Sequence, residues 1–146
     1  MKRQAYLDLQ DRHREEINAF PIAYAFSDEQ LKEALEKLGA KSVKECVSVM
    51  GHGDIVKREN AKPFLDMLKR QAQEVKDLLI SDPEIAEAVF LYEMDNHEYA
   101  INWSADEDVL GCFAIDWEWI REHGLQLAYE SARRKHMKHM EDWGVI

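Results

Sequence analysis

Apolar positions recur along this chain at two periods, and the alternation between them outlines a fold. Tyr6, Leu9, Ile17 and Phe20, with His13, share one face at helical spacing, and the intervening positions are mostly charged. Residues 1–19 are therefore expected to form an amphipathic helix. Pro21 ends it, because the residue before a proline avoids the helical region. The apolar run 20–26 is expected to be a buried connector or a short strand. Ser27-Asp28-Glu29-Gln30 then matches a capping box, which opens a helix carrying Leu31, Ala34, Leu35 and Leu38 inward. Gly39 fits the left-handed position that stops it.

The period then shortens. Residues 46–50 are short and β-branched, Gly51-His52-Gly53-Asp54 signals a turn, and Ile55-Val56-Lys57 returns as a second strand. Asn60 is expected to cap a long helix over about 61–80, with Pro63 in its first turn and Phe64, Leu65, Leu68, Ala72, Val75, Leu78 and Leu79 inward. Ser81-Asp82-Pro83-Glu84 starts another, which buries Ile85, Ala86, Val89 and Phe90 and breaks at Asp95-Asn96. Glu98–Trp103 alternates cleanly and reads as a strand able to join the 46–57 hairpin. Ser104-Ala105-Asp106-Glu107 is a further capping box, and 117–143 reads as helix interrupted near Gly124. The expected class is α+β: mostly helical, with about five helices around a small antiparallel sheet or hairpin.

Composition adds bounds to that outline. With 146 residues, 46% hydrophobic and 33% charged, the chain can bury a core without staples, and a single globular domain over 1–146 is expected. Two cysteines are too few for a disulfide framework. Cys46 and Cys112 both sit in apolar runs and are expected to be buried, reduced thiols. No window approaches the length of a membrane span, so no membrane association is expected. The positive N-terminus is not followed by an apolar run, so no secretion signal is read and a cytoplasmic location is expected.

Charge is distributed unevenly. The net charge is −10, yet residues 77–120 hold twelve carboxylates and no Lys or Arg. A negative field there argues against direct binding of a nucleic-acid backbone and favours a basic protein partner, a cation, or plain solubility.

The densest cluster of reactive side chains is Glu93-Met94-Asp95-Asn96-His97-Glu98. Carboxylates and an imidazole at a helix-to-strand junction can hold a divalent metal or form an acid/base pair. The spacing matches no specific metal motif, and a turn in which Asn and Asp bond the backbone explains it with fewer assumptions. Asp106-Glu107-Asp108 is better explained as acids in a helix's first turn than as a metal site. His136 and His139 lack an obvious third ligand and are expected to be exposed. Gly51-His52-Gly53-Asp54 is neither a phosphate-binding loop nor a dinucleotide fingerprint, and no G-x-S-x-G is present. Trp117 and Trp119 flank Glu118; such aromatics are usually core, but an exposed one would suggest an interface anchor. Arg133-Arg134-Lys135 and Lys138 form a basic patch that suits a helix C-terminus and is able to dock onto the acidic stretch.

Phe20-Pro21-Ile22, Ala25-Phe26-Ser27-Asp28-Glu29-Gln30, Leu91-Tyr92-Glu93 and Asn96-His97-Glu98-Tyr99 resemble a family of small proteins of unknown function from bacteria and their phages. The similarity runs from about residue 15 to 130. The resemblance implies a compact accessory protein borne on mobile elements and carries no catalytic roles with it.

The leading expectation is a non-enzymatic interaction or regulatory protein that presents an acidic surface to a basic partner. Its candidate binding residues are Glu93, Asp95, His97, Glu98, Trp117 and Trp119. No catalytic residue, metal ligand or cofactor is assigned. The alternatives are a metal-dependent hydrolase centred on 93–98 and a nucleic-acid mimic whose carboxylates line up like phosphates.

Overall fold

The computed structural model describes residues 2–97 and 105–144. The strand expected over Glu98–Trp103 and the cap expected at Ser104 lie outside the described residues. Within them the chain is mainly helical with one small antiparallel sheet, which is the expected α+β class, but it has seven α-helices rather than about five. The acidic 105–111 segment forms a helix of its own, and Gly124, at φ 66°, divides the last helical region in two. No helix among the described residues is long and apolar enough to cross a membrane.

The chain forms two compact units, Met1–Leu9 with Ala72–Ile146 and Gln10–Gln71. Helix α1 (Gln4–Ala19) has residues in both. In the 10–71 unit, β1 (Ala23–Tyr24) realises the short strand expected after Pro21. Ser27 caps α2 (Asp28–Leu38): its Oγ accepts from Gln30 N at 3.2 Å, and Gln30 Oε1 accepts from Phe26 N at 2.8 Å. The reciprocal bond thus reaches one residue further back than in the usual capping box. Gly39 ends α2 at φ 69°, as its position predicts.

The expected hairpin is present. β2 (Cys46–Val47) pairs antiparallel with β3 (Asp54–Lys57), Val47 facing Val56. β1 completes the sheet on the other side of β3, Ala23 facing Ile55, in the order β1-β3-β2. The turn between β2 and β3 closes on the Asp54 carboxylate, which accepts from Ser48 Oγ, Val49 N, Met50 N and His52 N at 2.8–3.3 Å. Gly53 sits at φ 81°, and a Cβ there would clash with the Phe26 ring.

Helix α3 (Arg58–Ser81) begins directly after β3, three residues before the start expected from Asn60. The Arg58 side chain donates to the Lys44 carbonyl at 2.7 Å and ties down that early first turn. Pro63 consequently lies inside the helix, where its missing N–H forfeits a bond to the Glu59 carbonyl. The sheet's outer strands have two residues each and cover only a narrow stripe of α3. Phe64 fills that stripe with Ile22 and Val56, while Leu68 packs at its rim. Leu65, expected inward, is exposed, and Leu35 and Leu68, expected in the core, are half-buried.

The other unit is built on α4 (Pro83–Asn96), which packs along α7 (Gln126–Asp142). Asp82 accepts from Glu84 N at 2.9 Å and Pro83 occupies the first turn of α4, as the sequence predicts. Val89 and Phe90 are fully buried, as expected, against Phe113, Ile120 and Tyr129. Two short helices, α5 (Ala105–Gly111) and α6 (Trp117–Glu122), complete this core.

Candidate metal centre

The last turn of α4 places Glu93 and His97 on one face, because residues four apart on a helix lie one above the other. His97 is the helix's C-terminal cap and its side chain is partly exposed, whereas Glu93 is buried. Cys112 arrives from the turn that follows α5. The Glu93 Oε2 lies 3.0 Å from His97 Nε2, and Cys112 Sγ lies 3.2 Å from the same nitrogen. One carboxylate oxygen, one imidazole nitrogen and one thiol sulfur thus fall within 4.8 Å of one another. The second Glu93 oxygen, Oε1, accepts from Tyr6 Oη at 3.1 Å.

The side chains converge on a point and do not form a relay. A nucleophile–base–acid chain uses both imidazole nitrogens, one for the nucleophile and one for the orienting carboxylate. Here both neighbours meet Nε2, which has one proton or one lone pair to offer. The thiol itself is far from activated: desolvation, and then the Glu93 charge, push the Cys112 pKa up to about 12. Its S–H donates to the Asp108 carbonyl at 3.3 Å. Burial, and then Glu93, push Tyr6 well above the ordinary tyrosine range, so it stays a phenol and a hydrogen-bond donor.

A tetrahedral zinc with bonds of ~2.0–2.3 Å separates its ligand atoms by about 3.3–3.8 Å. The observed 3.0 and 3.2 Å require the side chains to open by only a few tenths of an ångström. Buried Glu93 forms the floor of the site, and the exposed Cys112 and His97 form its solvent edge.

The other expected site residues are dispersed. Asp95 turns to α7, where its carboxylate accepts from His136 Nδ1 at 2.6 Å and His139 Nδ1 at 2.9 Å. His136 is therefore fully buried and not exposed, and the acid that retains it is the residue expected to serve the 93–98 cluster. Glu98 lies outside the described residues. Trp117 is exposed at the start of α6, edge-on to Tyr129 at 4.9 Å, and Trp119 is half-buried and stacked on His123 at 4.2 Å. Cys46 is buried as expected; Cys112 is exposed, because it stands on the turn beyond α5 with only its neighbour Phe113 in the core. Cys112 and Tyr6 are the members of the site that sequence reasoning missed. The Glu93/His97 pair is visible as a helical spacing of four, but nothing local in sequence brings Cys112 or Tyr6 to it.

The family described as "Family of unknown function (DUF7659)" matches residues 5–135, and the chain belongs to it. No curated protein and no solved structure matches the chain.

Proposed function

We propose that this member of a family of unknown function binds a divalent transition metal, zinc by its ligand set, through Glu93, His97 and Cys112. The observation that carries the reading is the convergence of oxygen, nitrogen and sulfur ligand atoms within 4.8 Å. Sulfur and imidazole nitrogen select a borderline-soft ion over Mg²⁺ or Ca²⁺, and a single carboxylate suits zinc as well. A cation would serve all three groups at once, in place of the separate bonds they make to one another, to Tyr6 and to the Asp108 carbonyl. Three protein ligands leave a fourth tetrahedral position at the solvent edge, the arrangement of a site that exchanges water or an external ligand. A hydrolytic role rests on that open position.

The test is a titration of the full chain, stripped with chelator, with Co²⁺ and Zn²⁺. Wild type is expected to develop a thiolate-to-cobalt absorption band that zinc displaces and that Cys112→Ser abolishes. His97→Ala is expected to weaken binding more than tenfold, and Mg²⁺ to compete poorly. No band with Co²⁺ and no thermal shift with Zn²⁺ would refute the reading.

A second reading keeps the protein a non-enzymatic, cytoplasmic accessory of bacterial or phage origin with a basic protein partner. Its interaction role is supported by large apolar side chains left in solvent on α6, on α7 and at the C-terminal cap of α7: Trp117, Leu127 (84% exposed) and Trp143. Exposed aromatic anchors are what protein interfaces use. Capture of a partner that Leu127→Glu abolishes and Cys112→Ser leaves intact would favour this reading over the metal.

A further inference from the structure

We infer that Tyr6 is a positioning residue of the metal site, holding Glu93 as a one-oxygen ligand; the inference rests on the metal reading above. The two oxygens of Glu93 have different neighbours. Oε2 faces His97 Nε2 at 3.0 Å, on the side where Cys112 converges, and Oε1 accepts from Tyr6 Oη at 3.1 Å. The hydroxyl comes from α1, 87 residues away in sequence, and its ring is itself buried. That ring packs edge-on against Tyr92 at 6.0 Å and tilted against Phe113 at 5.9 Å. Phe113 is the neighbour of Cys112, so one side chain both bonds the carboxylate and packs beside the residue that carries the thiol.

A carboxylate that ligates with one oxygen and accepts a hydrogen bond on the other is fixed in rotation and cannot chelate with both. This leaves the fourth position of a tetrahedral ion open. Removing the hydroxyl frees Oε1 to swing toward the metal, which changes both affinity and geometry. Outer partners of this kind change metal affinity by about 10–100-fold.

The experiment compares wild type, Tyr6→Phe and Tyr92→Phe as full-length protein, titrated with Co²⁺ and then with Zn²⁺ against a chromophoric chelator. Tyr6→Phe is expected to lose about 10–100-fold in affinity. Its cobalt visible bands are expected to weaken, as a two-oxygen Glu93 raises the coordination number. Tyr92→Phe, which removes a hydroxyl from the same aromatic cluster, is expected to match wild type. Tyr6→Phe with wild-type affinity and spectrum overturns the inference and leaves the metal reading standing, as does an equal loss in both variants. A wild type without the thiolate band overturns both. Fluorotyrosine-labelled protein, otherwise unsubstituted, covers the case in which Tyr6→Phe does not fold. Its Tyr6 fluorine line, identified by single Tyr→Phe replacements at the other tyrosines, is expected to move on Zn²⁺ addition, and an unmoved line overturns the inference.

Discussion

Replacing Asp54 with Asn should unfasten the turn between β2 and β3. The carboxylate is 1% exposed and accepts four hydrogen bonds, from Ser48 Oγ, Val49 N, Met50 N and His52 N. Burial on its own would raise its pKa; the backbone and hydroxyl donors outweigh that and hold it at about 2, below the ordinary 3.8. A folded pKa below the unfolded one means stability that is full above about 4 and is lost as pH falls through about 2. The difference corresponds to about 2 kcal/mol. Asn removes the charge and turns an NH₂ toward donors that need an acceptor, so the total expected loss at pH 7 is about 2–4 kcal/mol. Urea denaturation of both proteins at pH 7, and then from pH 5 downward, measures it. The gap should narrow by about 1.5 kcal/mol by pH 2.5, because Asp54 of the unfolded wild type takes up its proton at a higher pH than the folded one does. Equal midpoints at pH 7, or a gap that does not change with pH, would refute the reasoning.

Two further changes test the packing and the backbone. Phe90→Ala removes a fully buried ring set edge-on to Phe113 and Tyr129 and should cost about 3–5 kcal/mol, whereas Leu68→Ala, at a half-buried rim, should cost nearer 1 kcal/mol; similar denaturant midpoints for the two would contradict the burial. Ala114 sits at φ 54°, where an L-residue is strained by about 1–2 kcal/mol, so Ala114→Gly should raise the melting temperature by a few degrees, and a fall would show that the turn after α5 tolerates Ala without strain.

Local signals in the sequence were legible wherever the physics is local. The Ser27 and Asp82 caps, the left-handed Gly39 and the β2–β3 hairpin follow from side chains bonding backbone within a few residues. Errors arose where a distant element decides. Leu65 and Phe64 are equally apolar, and only the narrow sheet beneath α3 determines that Phe64 is buried and Leu65 is not. Helix α3 starts ahead of Asn60, a good cap by type, and the bond from Arg58 to the Lys44 carbonyl, 14 residues back, holds the first turn that Asn60 would otherwise open. The site behaves the same way. Glu93 and His97 are visible as a pair at helical spacing, but Cys112 is 15 residues beyond His97 and Tyr6 is 87 before Glu93. Asp95, two residues from Glu93, is turned to the opposite partner, because successive side chains on a helix diverge by about 100°.

The acidic stretch shows the same limit for charge. Read along the chain, 77–120 has no base to oppose its twelve carboxylates. In the fold, bases from outside the stretch reach several of them. Lys2 lies 3.5 Å from Asp82 and 3.1 Å from Glu84, Lys135 lies 2.9 Å from Glu87, and Arg133 lies 3.1 Å from Asp106. Ser131 also donates to Glu87, and Tyr129 to Asp106. Asp95 is taken by two histidines, Glu93 by Tyr6 and His97, and Asp116 by the backbone N–H of Trp119 at 2.8 Å. The basic patch of α7 thus does dock onto the acidic stretch, through Arg133 and Lys135. The exposed pairs contribute little stability one by one, and the three cations Lys2, Arg133 and Lys135 offset part of the negative field that a count along the chain suggests. A mimic of nucleic acid needs its carboxylates unpaired and in rows, and here eight of the eleven that lie among the described residues, Asp77 included through Gln73 at 2.9 Å, are bonded within the protein. A cation bound among Glu93, His97 and Cys112 would draw on one of the carboxylates held deepest, Glu93, and not on the solvated surface charge of Glu107, Asp108 or Glu118. That burial separates the proposed centre from an ordinary acidic patch: screening by salt is weak where the carboxylate is buried, so binding there should survive an ionic strength that abolishes loose counterion attraction.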